Sequence, residues 1–510
     1  MNAGFQRKIV YLVLIALLLV PLSMLGKPAA VAEVGGDSGG GKLADLREEY
    51  KLGQAQVGKI DPTSSALRYV SLGLHGVAVC IMQQKADEFQ KQEDWISLAA
   101  VLNQMTYLQP YYVKVWSHQA WNISYNVASQ WDDYREKYFW VVRGFKLLHT
   151  GMQYNELEPM FPYDLGWHLG HKLGQSDEKN EYRKLFAADK TSRADLLPLV
   201  ADIDGGWGEE RDSWLYSKRY LRFAQQMVDR RGAILRSISP ENFHVHIPLT
   251  QANYAQTISD EGVTGDKAKG AWRQSELDWR ELAAREFPSE HGFFYRIDQG
   301  PKAAEDLKET LAKLENLEPG LREKITDEKR AALSDEQRKA LAVPTDARTV
   351  AESRLAYQAE LATVVTNYEV AERMPAQKRE AAQKLADEAF RLARLVDAVD
   401  GSKNIYKFDY WLERSEMEQT ADALTARELF YQALRDSNDN PWKARKTFEE
   451  AFSRWRKILD KYPAMIDDRT AYEVKDHIDS YRAVLKQLDE PFERSKFVLR
   501  DLLDKIEPLE

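Results

Sequence analysis

The sequence predicts a mostly α-helical protein, with an N-terminal transmembrane helix, helical-repeat modules and a small mixed central segment. Three observations carry this expectation. One unbroken apolar run stands at the N-terminus, apolar residues recur three and four positions apart through most of the rest, and short polar turns separate the stripes. A chain of 510 residues can bury a large core and divides into several domains.

Residues 1–26 come first. Arg7 and Lys8 precede Ile9 to Leu25, a run broken only by Pro21 and Ser23. About 18 apolar residues is near the lower limit for crossing a bilayer. The expectation is therefore a single-pass anchor, with a cytoplasmic N-terminus set by the leading basic residues and the bulk of the chain periplasmic or extracytoplasmic. Ala30-Val31-Ala32 offers a cleavage site of the small-x-small kind, which would make the run a signal peptide instead.

Composition then sets limits. Charged residues make up 30% of the chain and the net charge is -9, a balance that argues against a general nucleic-acid binder. The single cysteine, Cys80, excludes an intramolecular disulfide, a cysteine-based zinc site and a covalent haem attachment. Its apolar neighbours, Val77 to Ile81, suggest a small buried hydrophobe.

Residues 27–45 are expected to be a flexible linker, because Gly35 to Gly41 bury nothing. Gly36 through Gly41-Lys42 has the spacing of a phosphate-binding loop, but Leu43 stands where that loop needs a hydroxyl, and no strand precedes it.

Residues 46–200 read as paired helices. Trp95, Leu98, Leu102, Met105 and Leu108 mark one face of a helix that stops before Pro110. Trp116, Ala120 and Ile123 open the next stripe, and Tyr138, Val141, Val142, Phe145 and Leu148 another. Leu165, Leu169 and Leu173 precede a helix carrying Tyr182, Leu185 and Phe186. One pair cannot bury its own stripe, so the pairs are expected to stack into a solenoid. Asp94-Trp95, Leu108-x-Pro110, Trp116, Leu165-Gly166 and Tyr182 resemble the aromatic, closing-turn and Leu-Gly positions of tetratricopeptide repeats. Glu178 departs from the alanine of that pattern, and the spacing between units is irregular. The resemblance implies tetratricopeptide-like α-solenoid modules in which the Leu-Gly pair lets the two helices of a unit approach closely.

Residues 201–300 form the mixed, mainly helical segment. Gly205-Gly206-Trp207-Gly208 interrupts the helical pattern, Asp212 to Arg231 resumes it, and Phe243, Val245 and Ile247 alternate with His244 and His246 as in a short strand ending at Pro248. Residues 301–346 read as a charged helical spacer. Leu307, Leu311, Leu314, Leu321 and Ile325 form a seam cut by Pro319-Gly320, and an eight-residue repeat then places hydroxyl N-caps at Thr326 and Ser334. Residues 347–510 form a second helical-repeat module, in which Ala444, Phe448 and Ala451 have the spacing of a tetratricopeptide second helix and Trp455, Ile458 and Leu459 extend the face to Pro463.

Over nearly its whole length the chain resembles a family of membrane-anchored proteins from planctomycete bacteria. The segments that carry this are the anchor with its Leu-Pro-Leu, Gly41 to Arg47, Ile60 to Ser64, Ala120 to Val127 and Leu488 to Phe492. Some members bear the label "iron-responsive element", which names an RNA hairpin. The resemblance implies no particular activity.

The chemistry-bearing residues are few. Asp164, His168 and His171 fall at i, i+4 and i+7 on one helical face, which would give a divalent metal two imidazoles and a carboxylate; the alternative is polar positions of a repeat helix. His244 and His246 on one side of a strand lack a third ligand. No Gly-x-Ser-x-Gly elbow or other nucleophile arrangement is present. Trp116, Trp121, Tyr125, Trp131, Trp140 and Trp167 are candidates for an interaction surface, though for each ring a place in the core is favoured. The expected function is thus a membrane-anchored scaffold for protein interaction or assembly, with no catalytic residue, no cofactor, no nucleic-acid partner and no small-molecule substrate assigned. The alternatives are a metal-dependent enzyme or metal-binding protein, and a structural component of the cell envelope.

Overall fold

The structure is a computed structural model. It describes residues 75–203, 211–231, 233–235 and 237–508, apart from residue 109, together with isolated positions before residue 75. The described chain is mostly helical. It divides into two compact units, one of Met1–Asp278 with Glu413–Glu510, the other of Trp279–Leu412.

The first unit opens with α1 (His75–Lys91), α2 (Trp95–Leu108) and α3 (Val113–Trp121). The chain then continues through a π-helical turn (Asn122–Val127) and a 3-10 turn (Ala128–Gln130). There follow α4 (Tyr134–Tyr154), α5 (Met160–Gly174), α6 (Lys179–Ala188), α7 (Lys190–Leu196), α8 (Ser213–Arg231), α9 (Pro240–Asp260) and α10 (Asp266–Ala283). Consecutive helices pack as neighbours, α1 on α2, α3 on α4, α4 on α5 and α8 on α9. The stripes expected from the sequence form the core. Leu98, Leu102, Met105 and Leu108 bury against Val79 and Val115. Val141, Phe145, Leu148, Leu165, Leu169, Tyr182 and Phe186 bury with Trp116, Tyr216 and Tyr220. Each such side chain contributes roughly 1.5–3 kcal/mol on leaving water, far more than helix propensity supplies.

The Leu165-Gly166 pair does permit a close helix approach, but to α8 rather than to the next helix. A Cβ at Gly166 would lie 2.9 Å from the Ser217 carbonyl oxygen, and one at Gly174 would lie 2.3 Å from the Trp214 ring. Ser217 Oγ donates to the Gly166 carbonyl at 2.6 Å across this contact.

The second unit begins near the end of α10 with a two-residue antiparallel ladder, β1 (Phe287–Pro288) and β2 (Phe294–Tyr295), with Phe287 opposite Tyr295. It continues with α11 (Gly300–Leu317), α12 (Leu321–Ala331), α13 (Asp335–Ala342), α14 (Val350–Thr363), α15 (Asn367–Glu372), α16 (Ala376–Tyr406) and the start of α17 (Phe408–Met417). The stretch 301–346 is not a surface spacer. Leu314 and Ile325 are fully buried with Val370, Ala371, Met374, Ala382 and Ala386, so the seam closes on α15 and α16. Ser334 caps α13 as expected, in a reciprocal box with Gln337. Thr326 instead lies inside α12, where its hydroxyl donates back to the Arg322 carbonyl.

The first unit is completed by α18 (Ala421–Asp436), α19 (Pro441–Lys461), α20 (Arg469–Gln487) and α21 (Arg500–Ile506). Asn440 caps α19, and Ala444, Phe448, Ala451, Trp455, Ile458 and Leu459 form its buried face, as the spacing predicts. Beside this face lies a buried ion network. Arg414, with no exposed surface, donates to Glu473 at 2.6 Å, and Arg427 bonds both Glu418 and Glu473.

Three further expectations are corrected by the structure. Among the described residues no helix is long and apolar enough to cross a membrane. Even α16, the longest, carries Lys378, Arg379, Glu380 and Lys384 within its first turns, where a span needs about 20 apolar residues. The single-pass arrangement and its sidedness therefore do not stand; the 1–26 run, the 27–45 linker with its glycine loop, and Gly205 to Gly208 lie largely or wholly outside the described residues. The segment around His244 and His246 is the start of α9, not a strand. Ser239 caps it, Pro240 sits at its first turn, and Phe243, His244, Val245 and Ile247 are all buried because the helix is enclosed nearly all round. An enclosed helix shows no clean helical period, which is why alternation misleads here. Cys80 is exposed on α1 rather than buried, while its neighbour Val79 enters the core.

Candidate aromatic interaction surface

The six aromatic candidates separate according to their helices. Trp116 belongs to the core: it is 3% exposed, its Nε1 donates to the Pro110 carbonyl at 2.9 Å, and its ring stacks on Tyr154. The other five do not follow it inside. At Trp121, α3 gives way to the π-helical turn, whose wider winding is held by the Asn126 amide donating to Asn122 Oδ1 at 2.8 Å. Ile123, Ser124 and Val127 of this turn are buried, whereas Trp121 is 41% exposed and Tyr125 half-buried.

Helix α5 brings Trp167, His168, His171 and Lys172 beside that turn. The Trp121 and Tyr125 rings stack at 6.0 Å, Tyr125 and Trp167 at 6.3 Å, and Trp167 and His171 at 4.5 Å, with interplanar angles of 19°, 28° and 11°. A hydrogen bond of 3.0 Å joins Tyr125 Oη to His171 Nδ1, and Lys172 Nζ lies 4.8 Å from the Tyr125 ring centre. The result is a continuous stack of four rings with a cation over one face. Offset stacks of this kind add about 0.5–1.5 kcal/mol per pair beyond burial. A second pair stands just after the 3-10 turn and on α4. Trp131, 37% exposed, stacks on Trp140 at 6.2 Å, and the exposed Phe139 meets Trp140 edge-on at 5.8 Å.

Asp164, His168 and His171 share α5, where Asp164 bonds Ser117 and both histidines pack on Tyr125 and Trp167. Asp164 accepts from Ser117 Oγ at 2.5 Å, and burial pushes its carboxyl up to about 6 against the opposing effect of that hydrogen bond. His168 is 4% exposed, walled edge-on by Tyr125, Trp167 and Phe145; burial, helped by His171, pushes it down to about 3, so it is neutral at ordinary pH. His171 is lowered by partial burial and by Lys172, and stays in the ring stack. Among the described residues no group of three or more His, Cys, Asp or Glu side chains is placed to hold a metal ion. His168 is enclosed behind the aromatic surface, Asp164 is tied to α3 through Ser117, and His171 is itself a ring of the stack.

A shallow, open depression lies beside this surface. It is bounded by Gln83, Tyr112, Lys114, Ser117 and His118, and the His118 ring lies 6.2 Å from that of Trp121. Sequence reasoning does not single out Tyr112 and His118. Their only signal there is proximity to Trp116 and Trp121 in a short helix.

The fold and this surface define a helical protein of the general α-solenoid kind that carries a partly exposed ladder of stacked aromatic rings. No family model, no curated protein and no solved structure matches the chain.

Proposed function

We propose that this protein is an interaction module whose aromatic ladder docks a segment of a partner polypeptide. The observation that carries the reading is the Trp121–Tyr125–Trp167–His171 stack, which keeps large apolar faces half-exposed although the same helices bury Trp116 and Leu165. Contiguous exposed apolar patches are uncommon on monomeric proteins and mark interaction sites. Rigid Trp and Tyr rings lose little entropy on binding and dominate interface energetics. The adjoining open depression at Tyr112, Ser117 and His118 widens the surface a partner could cover.

The test compares affinity purification of the full-length wild-type chain with Trp121→Ala. That ring is 41% exposed and has one ring stack, on Tyr125, besides the looser contact with His118. Its loss is expected to lower folding stability by about 1 kcal/mol, yet to remove about 2 kcal/mol or more of partner binding. Trp442→Ala, at a site 57% exposed on α19, is the control and should leave binding unchanged. Equal recovery of the same partners by the wild type and the Trp121 variant contradicts the reading.

A further inference from the structure

A second concave site lies in the first unit, at the C-terminal end of α5. It is a cavity of about 470 Å³ lined by Lys179 and Asn180 of α6, Asn253, Gln256 and Asp260 of α9, and Arg469 of α20. Its chemistry is mostly polar, with amides beside charges of both signs and the Trp214 ring in one wall. The state of those charges narrows what it can hold.

Two of the four ionised groups that line the cavity are already paired. Glu261, at its edge, is bound by Arg183, which also bonds Asp212. Arg469 donates through Nε to Glu473 at 3.1 Å and through Nη1 to Asn253 Oδ1 at 3.3 Å, which leaves part of its half-exposed guanidinium unspent. Two groups remain. Lys179 has no ion-pair partner among the described residues, and Asp260 has none either: its Oδ1 accepts from the Gln256 amide at 2.6 Å, and its other oxygen is unengaged. Asp260 keeps surface open, yet enough protein surrounds it that desolvation pushes its carboxyl above the ordinary range, against the pull of Arg427 and Arg414. A carboxylate in that position gains from a cation.

The wall beneath Asp260 is rigid. Gln256 is 5% exposed, and its carbonyl oxygen is held by the fully buried Arg414. That contact fixes which way the amide points, so its NH2 group faces Asp260 and the carboxylate is pre-oriented. One unpaired cation and one unpaired carboxylate, separated by amides that both donate and accept, match a ligand that carries both charges. A phosphate would meet Asp260 and Glu261, and a simple amine would meet Lys179 and Arg469; each would leave a like charge facing it in a partly enclosed site, where Coulomb interactions are strong. The volume lies within the range of small-molecule sites.

We propose that this cavity binds a small zwitterion of the free amino-acid class, its carboxylate held by Lys179 and Arg469 and its ammonium by Asp260. No ring of the aromatic ladder lines this cavity, so the two readings stand or fall separately.

The experiment uses the full chain and the free proteinogenic L-amino acids, screened by saturation-transfer NMR and followed by calorimetry. At least one is expected to bind saturably. Its decarboxylated amine and its deaminated acid should each bind about tenfold or more weakly, as should the wild-type ligand to Lys179→Gln and to Asp260→Asn. Lys179 has no ion-pair partner to lose, so the first variant tests the site without threatening the fold. The proposal is overturned if no amino acid binds, if the amine or the acid alone binds as tightly as the amino acid, or if both variants bind it like the wild type.

Discussion

Glu473→Gln is expected to destabilise the folded chain by about 3–5 kcal/mol, a large effect for so conservative a substitution. Glu473 accepts from Arg414 at 2.6 Å, from Arg427 at 3.2 Å and, through its other oxygen, from Arg469 at 3.1 Å. Removing its charge takes one of the two carboxylates away from a pair of guanidinium groups, one without exposed surface and one 6% exposed, and Glu418 must then serve both. The glutamine keeps the shape, so packing is unchanged and the loss is electrostatic. The pH dependence separates this from a packing effect. Burial by itself would raise the Glu473 carboxyl, but Arg414, Arg427 and Arg469 outweigh it and hold the group down to about 2. A carboxyl depressed in the folded state contributes its full stability above its unfolded pKa of about 4.3, and loses it as pH falls toward the folded value. The gap between wild type and variant, read from urea unfolding, should therefore be widest near neutrality. It should shrink by about 3 kcal/mol on acidification through that window. A gap that stays constant with pH would show that the network is not what Glu473 supplies.

Gly144→Ala is the second large effect, and it bears on the aromatic surface. Gly144 lies on α4 where that helix meets the end of α3 and the π-helical turn. A Cβ there would stand 2.0 Å from Ser124 Oγ and 2.7 Å from the Ala120 carbonyl oxygen. Ser124 can rotate away at the cost of its bond to the Val141 carbonyl, but the Ala120 oxygen is backbone and can move only with its helix. Overpacking of this kind costs about 1–3 kcal/mol, and a backbone clash puts it near the upper end. Because the helix must shift, Trp121 and Tyr125 shift with it. The expected result is a lowered unfolding free energy together with greater solvent quenching of tryptophan fluorescence from the ladder. A variant as stable as the wild type would mean that α3 and α4 are not held at this spacing.

Helices whose buried face is a single stripe are legible in the sequence. Leu98, Leu102, Met105 and Leu108, or Ala444, Phe448 and Ala451, recur at the helical period because only one side of their helix is enclosed. The start of α9 misleads for the opposite reason, since Phe243, His244, Val245 and Ile247 are all buried and leave no period to detect. The aromatic ladder is only half legible. Its residues can be named, but whether a Trp lies inside or at the surface depends on where the π-helical turn rotates the chain and on which later helix arrives beside it. Tyr125 and Trp167 meet across 42 positions, and nothing local to either encodes that meeting. Asp164, His168 and His171 do share a helix as their spacing implies, but their partners, Ser117 and Tyr125, come from elsewhere in the chain. The ion network is hidden by its own composition. Arg414 with Glu418 and Arg469 with Glu473 sit four apart, the spacing of ordinary surface pairs, and only packing reveals that Arg414 and Glu418 are buried.

The central claim is that the ladder is a docking surface for another polypeptide, and site-specific photocrosslinking in intact cells tests it most directly. A benzophenone side chain placed at Trp121 occupies a half-exposed position on the ladder, and one placed at Trp442 reports an exposed position on α19. The account predicts a discrete adduct from position 121, containing one polypeptide segment identified by mass spectrometry and absent from position 442. No adduct from position 121, or the same diffuse products from both positions, would contradict it.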